Sequence, residues 1–384
     1  MPFSGSTFTL PVGATGQVAG NIVQSATWNA IHADLNTGLT QLMAQLVSTP
    51  GNRNVLFSNG SLDIWQRGAG SSASIAVAAS TTAYTADRWY VTTGANQASV
   101  ISAATALSNS SVVAGKVLRN AGQTGVTAYT FGYPLEVADI VRMLGQKVSL
   151  SCIVKAGANW SPTNGTLTAS LYTGTAAAAK RGGGFTGETQ VLTVSTNLTV
   201  SVTTAIAATS TVIVPTTTTQ AELQFTWTPV GTAGADDSIT IDDVQLEANL
   251  SVSTWTPTNF DIVPFTVCLA DCKRHYKKTF PYGTAPAQSA GLVGALVEVT
   301  QGVSKLGVLW TFESVELRAN PSVTTYNPQG ATANWQDITA AASLAATIDT
   351  TTTSNSPKTI YIGGATVAAI DHQVFIHVTA SSGI

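Results

Sequence analysis

From Asn52 onward the chain is built of short runs in which apolar and polar residues alternate, separated by clusters of Gly, Asn, Pro and Ser. A period of two puts successive side chains on opposite faces of an extended strand, so this pattern predicts half-buried β-strands joined by tight turns. Val148–Val154, Thr166–Tyr172, Ala221–Trp227 and Ser238–Leu246 are the clearest runs. Frequent short strands with turn residues between them fold as antiparallel sandwiches. The tract Val191–Thr219 carries no charge and consists mostly of Thr, Val, Ala and Ser, residues that fit a pleated surface; strands are expected there too, with Thr216–Thr219 as a turn. A second strand-rich region follows Gly291, with runs at Ala295–Thr300, Lys305–Phe312, Val323–Tyr326 and Gln373–Thr379.

Within Ser238–Leu246 the apolar positions change parity: Ile239 and Ile241 precede Asp242-Asp243, and Val244 and Leu246 follow. One inserted residue in a strand has this effect, so a β-bulge is expected at the two carboxylates.

The exception to the β pattern is Ser25–Ser48, where Trp28, Ile31, Leu35, Leu39, Leu42 and Leu46 recur at steps of three and four. Ser25 is a candidate N-cap and Pro50-Gly51 a stop. This stripe either packs on its copies in neighbouring subunits, making Trp28, Ile31, Leu35, Leu39 and Leu42 an oligomerisation seam, or lies on the β-domain of its own chain. A short helical candidate lies in Asp261–Phe280, with Val267, Ala270, Arg274 and Lys277 at helical spacing.

Only 10% of residues are charged, so Thr, Ser, Asn, Gln and Gly must cover the exposed faces, as in extracellular β-structures. The net charge is −3, and no Lys or Arg occurs between Arg181 and Lys273, which argues against nucleic-acid binding. Cys152, Cys268 and Cys272 are too few and too uneven for a disulfide framework. Met1–Gly20 lacks a basic region and an apolar run of signal-peptide length, and no segment approaches the ~20 apolar residues of a membrane span. The expectation is a protein made in a host cytoplasm and released by lysis.

No enzyme signature emerges. The four histidines are scattered, no Ser sits in a nucleophile elbow, and Arg181-Gly182-Gly183-Gly184 lacks the Lys and Ser or Thr of a phosphate loop, which leaves a flexible loop. Cys268, Cys272 and His275 could share a helix face, but a structural zinc site needs a fourth ligand. Asp242, Asp243, Glu247, Glu313 and Glu316 could supply a glycosidase pair, though the same acids suit calcium, which takes carboxylate and carbonyl oxygens in loose geometry. If the run from Asn54 to Asp63 is a first strand beside the last one, Asp63, Asp242 and Asp243 form the candidate metal site. Trp160, Tyr282, Tyr326 and Trp335 lie among Gly, Pro, Asn and Ser, and are the candidate sugar-stacking residues; Trp65, Trp89 and Trp227 sit in strand contexts and are expected in the core.

Several stretches resemble, in order, the jelly-roll domain of phage tail-fibre and related virion proteins. They are Asn59-Gly60-Ser61-Leu62-Asp63-Ile64-Trp65-Gln66-Arg67-Gly68, Tyr84-Thr85-Ala86-Asp87-Arg88-Trp89, Leu135-Glu136-Val137-Ala138-Asp139 and Ile241-Asp242-Asp243-Val244-Gln245-Leu246-Glu247, then Cys272-Lys273-Arg274-His275-Tyr276 and Leu317-Arg318-Ala319-Asn320-Pro321. The resemblance implies an all-β chain of tandem β-sandwich (jelly-roll) domains preceded by a short N-terminal helix. Residues 1–50 would anchor it to the particle, 51–258 form a carbohydrate-binding-module-like sandwich, 259–290 a hinge and 291–384 an outer sandwich. It further implies a homo-oligomer, usually a trimer, that contacts other virion proteins through residues 1–50 and binds host surface glycan, with structural Ca2+ at Asp63 and Asp243. The alternatives are a baseplate, head-fibre or decoration subunit, and a polysaccharide depolymerase, although no solenoid repeat supports the last.

Overall fold

The structure, a computed structural model, describes residues 33–34, 54–56, 58–249, 258–300, 306–312, 315–330, 333–348, 355–364 and 370–383. The chain divides into two units, Met1–Arg53 and Asn54–Ile384. In the first, Ala33 and Asp34 are helical; the apolar stripe Trp28, Ile31, Leu35, Leu39 and Leu42 lies outside the described residues.

The second unit opens with a two-sheet jelly-roll sandwich. Its strands are β1 (Ser74–Val77), β2 (Thr82–Tyr84), β3 (Tyr90–Thr92), β4 (Ser99–Thr105), β5 (Val113–Arg119), β6 (Tyr129–Leu135), β7 (Lys147–Ala156), β8 (Thr166–Gly174), β9 (Thr189–Asn197), β10 (Thr203–Thr209), β11 (Gln220–Trp227) and β12 (Asp237–Asn249). The first sheet has the order β1-β4-β5-β12-β7-β10 and the second β2-β3-β6-β11-β8-β9. Alternation sets the faces. On β11, Ala221, Leu223, Phe225 and Trp227 point into the sandwich while Gln220, Glu222 and Gln224 point out. Trp89 stacks on Phe131 at 4.8 Å between centroids and meets Tyr133 edge-on at 5.0 Å. Each such ring taken from water contributes about 2–3 kcal/mol.

The parity slip in β12 is a bulge: its register against β7 shifts between Asp242 and Gln245, and Asp243 adopts φ 48°. Gly60 passes directly over it, where a Cβ would lie 2.4 Å from the Val244 carbonyl oxygen, so this crossing requires glycine. The run before it is not the strand its sequence suggests. Asn54 bridges Glu247 and the Val55 N–H donates to Leu246 O at 2.6 Å, but the chain then turns, with Asn59 at φ 65° and Leu62 at φ 60°. Asn59 closes that turn. Its Oδ1 accepts the Ile64 N–H at 2.8 Å, and its Nδ2 donates to the carbonyls of Ile64 and Asp87.

The C-terminal strands surround a separate core of Trp335, Ile360, Ile362, Val374, Ile376 and Val378. The strand Gln373–Ser381 organises them: one half pairs with Leu296–Val299 and Asn334–Asp337, the other with Tyr276–Lys278 and Ser322–Tyr326. Segment 259–290, expected as a hinge, is packed on both sides. Its helix Phe265–Cys272 buries Cys268 and Cys272 against Ile64, its strand Tyr276–Lys278 joins the C-terminal sheet, and the Arg67 guanidinium lies over the rings of Tyr84 and Tyr276.

Candidate functional site

The outer face of the second sheet holds a polar and aromatic array drawn from four strands and one loop. Glu222 on β11 is fully buried although it points away from the core. Its Oε1 accepts the Tyr90 hydroxyl from β3 and, at 2.5 Å, the Gln224 amide; its Oε2 accepts the Arg181 backbone N–H at 2.8 Å. Burial raises the Glu222 pKa and, for the same reason, that of Tyr90. Between the two strands sits Gly132, where a Cβ would lie 2.6 Å from the Tyr90 ring.

The cover over this face is the loop carrying Arg181-Gly182-Gly183-Gly184. Arg181 grips Glu188 with two bonds of 2.8 and 2.7 Å, donates to Gln224 Oε1 at 3.3 Å and lies 3.7 Å above the Tyr172 ring. A bidentate guanidinium pair of this kind fixes direction as well as charge. The Tyr172 hydroxyl accepts from Gln190 Nε2 at 3.0 Å. At the far end Lys180 Nζ sits 4.7 Å from the Tyr84 ring, which Arg67 also approaches at 4.9 Å. The result is two half-buried tyrosines, Tyr84 and Tyr172, flanking the buried Tyr90 and held by fixed amides, carboxylates and cations. Such a surface can stack an apolar sugar face and bond its hydroxyls.

Sequence reasoning missed this array. Gln220, Glu222 and Gln224 alternate with apolar residues and so were legible as an outer face, but nothing local shows that Tyr90 and Arg181 arrive there. The four stacking candidates do not assemble into a site. Trp160 is buried against Trp227, with its indole N–H donating to Gly165 O at 3.0 Å, and Trp335 is wholly buried, with its indole N–H on Gly363 O at 2.9 Å. Both are core residues: Trp160 packs in the core of the first sandwich, and Trp335 sits in the strand Asn334–Asp337 of the C-terminal core. Tyr282 is half-buried, donating to Asp63 O and accepting from the Trp65 N–H, and Tyr326 packs edge-on against Phe280.

Of the three metal candidates, Asp242 and Asp243 sit at the bulge and Asp63 is close enough for its charge to act on Asp243, each with a different duty. Asp242 is committed to a loop: it accepts the Leu107 N–H at 2.7 Å, the Ser111 hydroxyl at 2.8 Å and the Asp243 N–H at 2.9 Å. Asp63 Oδ1 accepts the N–H groups of Val112 and Val113. Asp243 Oδ1 is buried without a partner, and burial together with the Asp63 charge raises its pKa; burial pushes Asp242 up to about 6. A buried carboxylate oxygen beside the Asp63 charge, with the Ser108 and Ser110 hydroxyls at the same carboxyl, offers the oxygens a hard cation takes. No three His, Cys, Asp or Glu side chains converge as a metal set among the described residues, so an ion here would draw its other ligands from hydroxyl or carbonyl oxygens.

No protein-family model matches the chain, and no curated protein does. Solved structures similar to part of it include the enzymatically active domain of tailspike protein 4 from bacteriophage CBA120, at 14% identity and TM-score 0.30 over 51% of this chain and 21% of that one. Others are a xylan-binding family 22 module from Paenibacillus barcinonensis (16%, TM-score 0.28, 46% of this chain and 99% of the module) and a family 11 carbohydrate-binding module of a Clostridium thermocellum cellulase (10%, TM-score 0.30, 46% and 100%). The chain spans about a fifth of the tailspike domain.

Proposed function

We propose that this chain is a fibre or spike subunit of a phage or phage-derived particle that binds host surface polysaccharide through the outer face of its second sheet and does not cleave it. The observation that carries the reading is the half-buried Tyr172 ring with the exposed Gln190 amide beside it, a ring for a sugar face and an amide for its hydroxyls, held from below by the buried Tyr90–Glu222–Gln224 network and from the side by Arg181. Its carboxylates support binding over hydrolysis, because Glu222 and Glu188 are each held by fixed donors instead of standing ready for a proton transfer. The subunit would work as a homo-oligomer, a trimer attached to other virion proteins through residues 1–50, so that many weak contacts add through avidity.

In this reading one calcium ion joins Asp63 and Asp243, neutralising their repulsion and tying the start of the sandwich to its last strand. The test incubates purified oligomer with host capsule or lipopolysaccharide and scores retention and release of reducing ends. Retention without release is expected. Release would make it a depolymerase, and absence of both would leave a subunit that contacts only virion proteins.

A further inference from the structure

An open cleft of about 420 Å³ lies on the opposite side of the sandwich, on the outer face of the first sheet. One transverse row of the ladder runs through it. Ser102 on β4 stands opposite Lys116 on β5, Lys116 opposite Thr240 on β12, Thr240 opposite Lys155 on β7, and Lys155 opposite Thr203 on β10. Directly opposed residues project from the same face. The neighbours of these residues along each strand, Val117, Ile239, Ile241 and Val154, are buried in the core, so the whole row faces outward. It reads hydroxyl, ammonium, hydroxyl, ammonium, hydroxyl. The lysines are two strands apart, about 10 Å.

The two cations are not equivalent. Lys116 Nζ lies 2.7 Å from Asp236 Oδ1, an acid also held by Ser238 and by the Ala158 N–H. Lys155 is half-buried on the cleft wall, and its ammonium meets no carboxylate among the described residues. Two ammonium groups that face each other across a threonine, with one counter-charge between them, leave room for a second anion on the Lys155 side.

We propose that this cleft is a second binding surface, separate from the tyrosine face, for a polysaccharide that carries carboxylates. Lys155 takes the carboxylate and Thr203 and Thr240 bond the sugar hydroxyls. The net charge of −3 and the hydroxyls between the lysines favour an acidic glycan over nucleic acid, which needs clustered cations along its phosphates. This cleft and the tyrosine face lie on opposite sheets and bind independently.

The test is affinity electrophoresis of the full chain in gels containing polygalacturonate, dextran or duplex DNA. Polygalacturonate should retard the protein, less so as salt rises, while dextran and DNA should not. Lys155→Glu should weaken the polygalacturonate effect by about fivefold or more, the scale of one exposed ion pair. Lys147→Glu, on the same strand and face but outside the cleft, should leave it unchanged. Thermal melts confirm folding, and Lys155→Gln is read if the charge reversal does not fold. Equal retardation by DNA, or full polygalacturonate binding in the folded Lys155 variant, would overturn the proposal; so would loss in Tyr172→Ala with Lys155→Glu intact, which would move the site to the second sheet.

Discussion

The Tyr90 hydroxyl donates to Glu222 Oε1 across the outer face of the second sheet, between residues 132 positions apart in the chain. With Gln224 and the Arg181 backbone, Tyr90 gives the buried Glu222 carboxylate a full set of donors. Removing the acceptor leaves all three donors without it. Glu222→Ala should therefore cost about 3 kcal/mol of unfolding free energy in a denaturant titration, and Glu222→Gln less, because an amide oxygen still accepts.

Two buried acids, Asp87 and the bulge residue Asp242, predict an unusual pH profile. Asp87 and Asp242 are both pushed up to about 6, chiefly by burial. A carboxyl whose folded pKa is raised adds stability that is full below its ordinary value of 3.8 and is lost as pH climbs through about 6. His275, lowered to about 4 by burial and by Arg88, works the other way: its contribution is complete above 6.5 and disappears as pH falls through about 4. In chelator the melting temperature should peak on the acid side of neutrality. Calcium should raise it, and raise it more at about pH 7.5 than at about pH 5, where protons compete for the carboxylates. Melts that ignore calcium at both pH values would remove the ion from the account.

Arg119 and Asp237 form a buried pair on facing strands, with Nε to Oδ2 at 2.7 Å and Nη2 to Oδ2 at 2.6 Å. Leaving one of two such charges alone costs about 3–5 kcal/mol. Arg119→Ala and Asp237→Ala should each show a loss of that size, and the double variant should lose clearly less than the sum. Additive losses in the double-mutant cycle would mean that the two act independently.

Trp160 and Trp335 should matter for stability and not for sugar. Replacing either by Ala opens a buried cavity worth about 3–5 kcal/mol. Glycan retention by the folded fraction should be unchanged. Reduced retention at full stability would return them to the binding site.

What the sequence disclosed was local periodicity. The strands at Lys147–Ala156, Thr166–Gly174, Gln220–Trp227 and Asp237–Asn249 follow from alternation alone, and the bulge follows from the parity slip beside Asp242. What it hid was assembled at long range. The loop carrying Arg181 reads as a flexible glycine run until Glu222 is known to lie beneath its backbone. Trp160 and Trp335 keep the polar neighbours of a loop, yet their indole N–H groups find carbonyls inside the fold. The run from Asn54 to Asp63 reads as strand in its apolar Val55, Leu56 and Phe57; the left-handed turns at Asn59 and Leu62 are fixed by hydrogen bonds that no alternation reports.

The central claim is that the tyrosine face binds polysaccharide, and the most direct test is retention on immobilised host capsule or lipopolysaccharide by wild type and Tyr172→Ala, with reducing ends assayed in the same tubes. The account predicts that wild type is retained, that no reducing ends appear, and that the folded variant binds about tenfold more weakly, the loss of one stacking ring. Equal retention by a fully folded Tyr172→Ala, or reducing ends released by wild type, would contradict it.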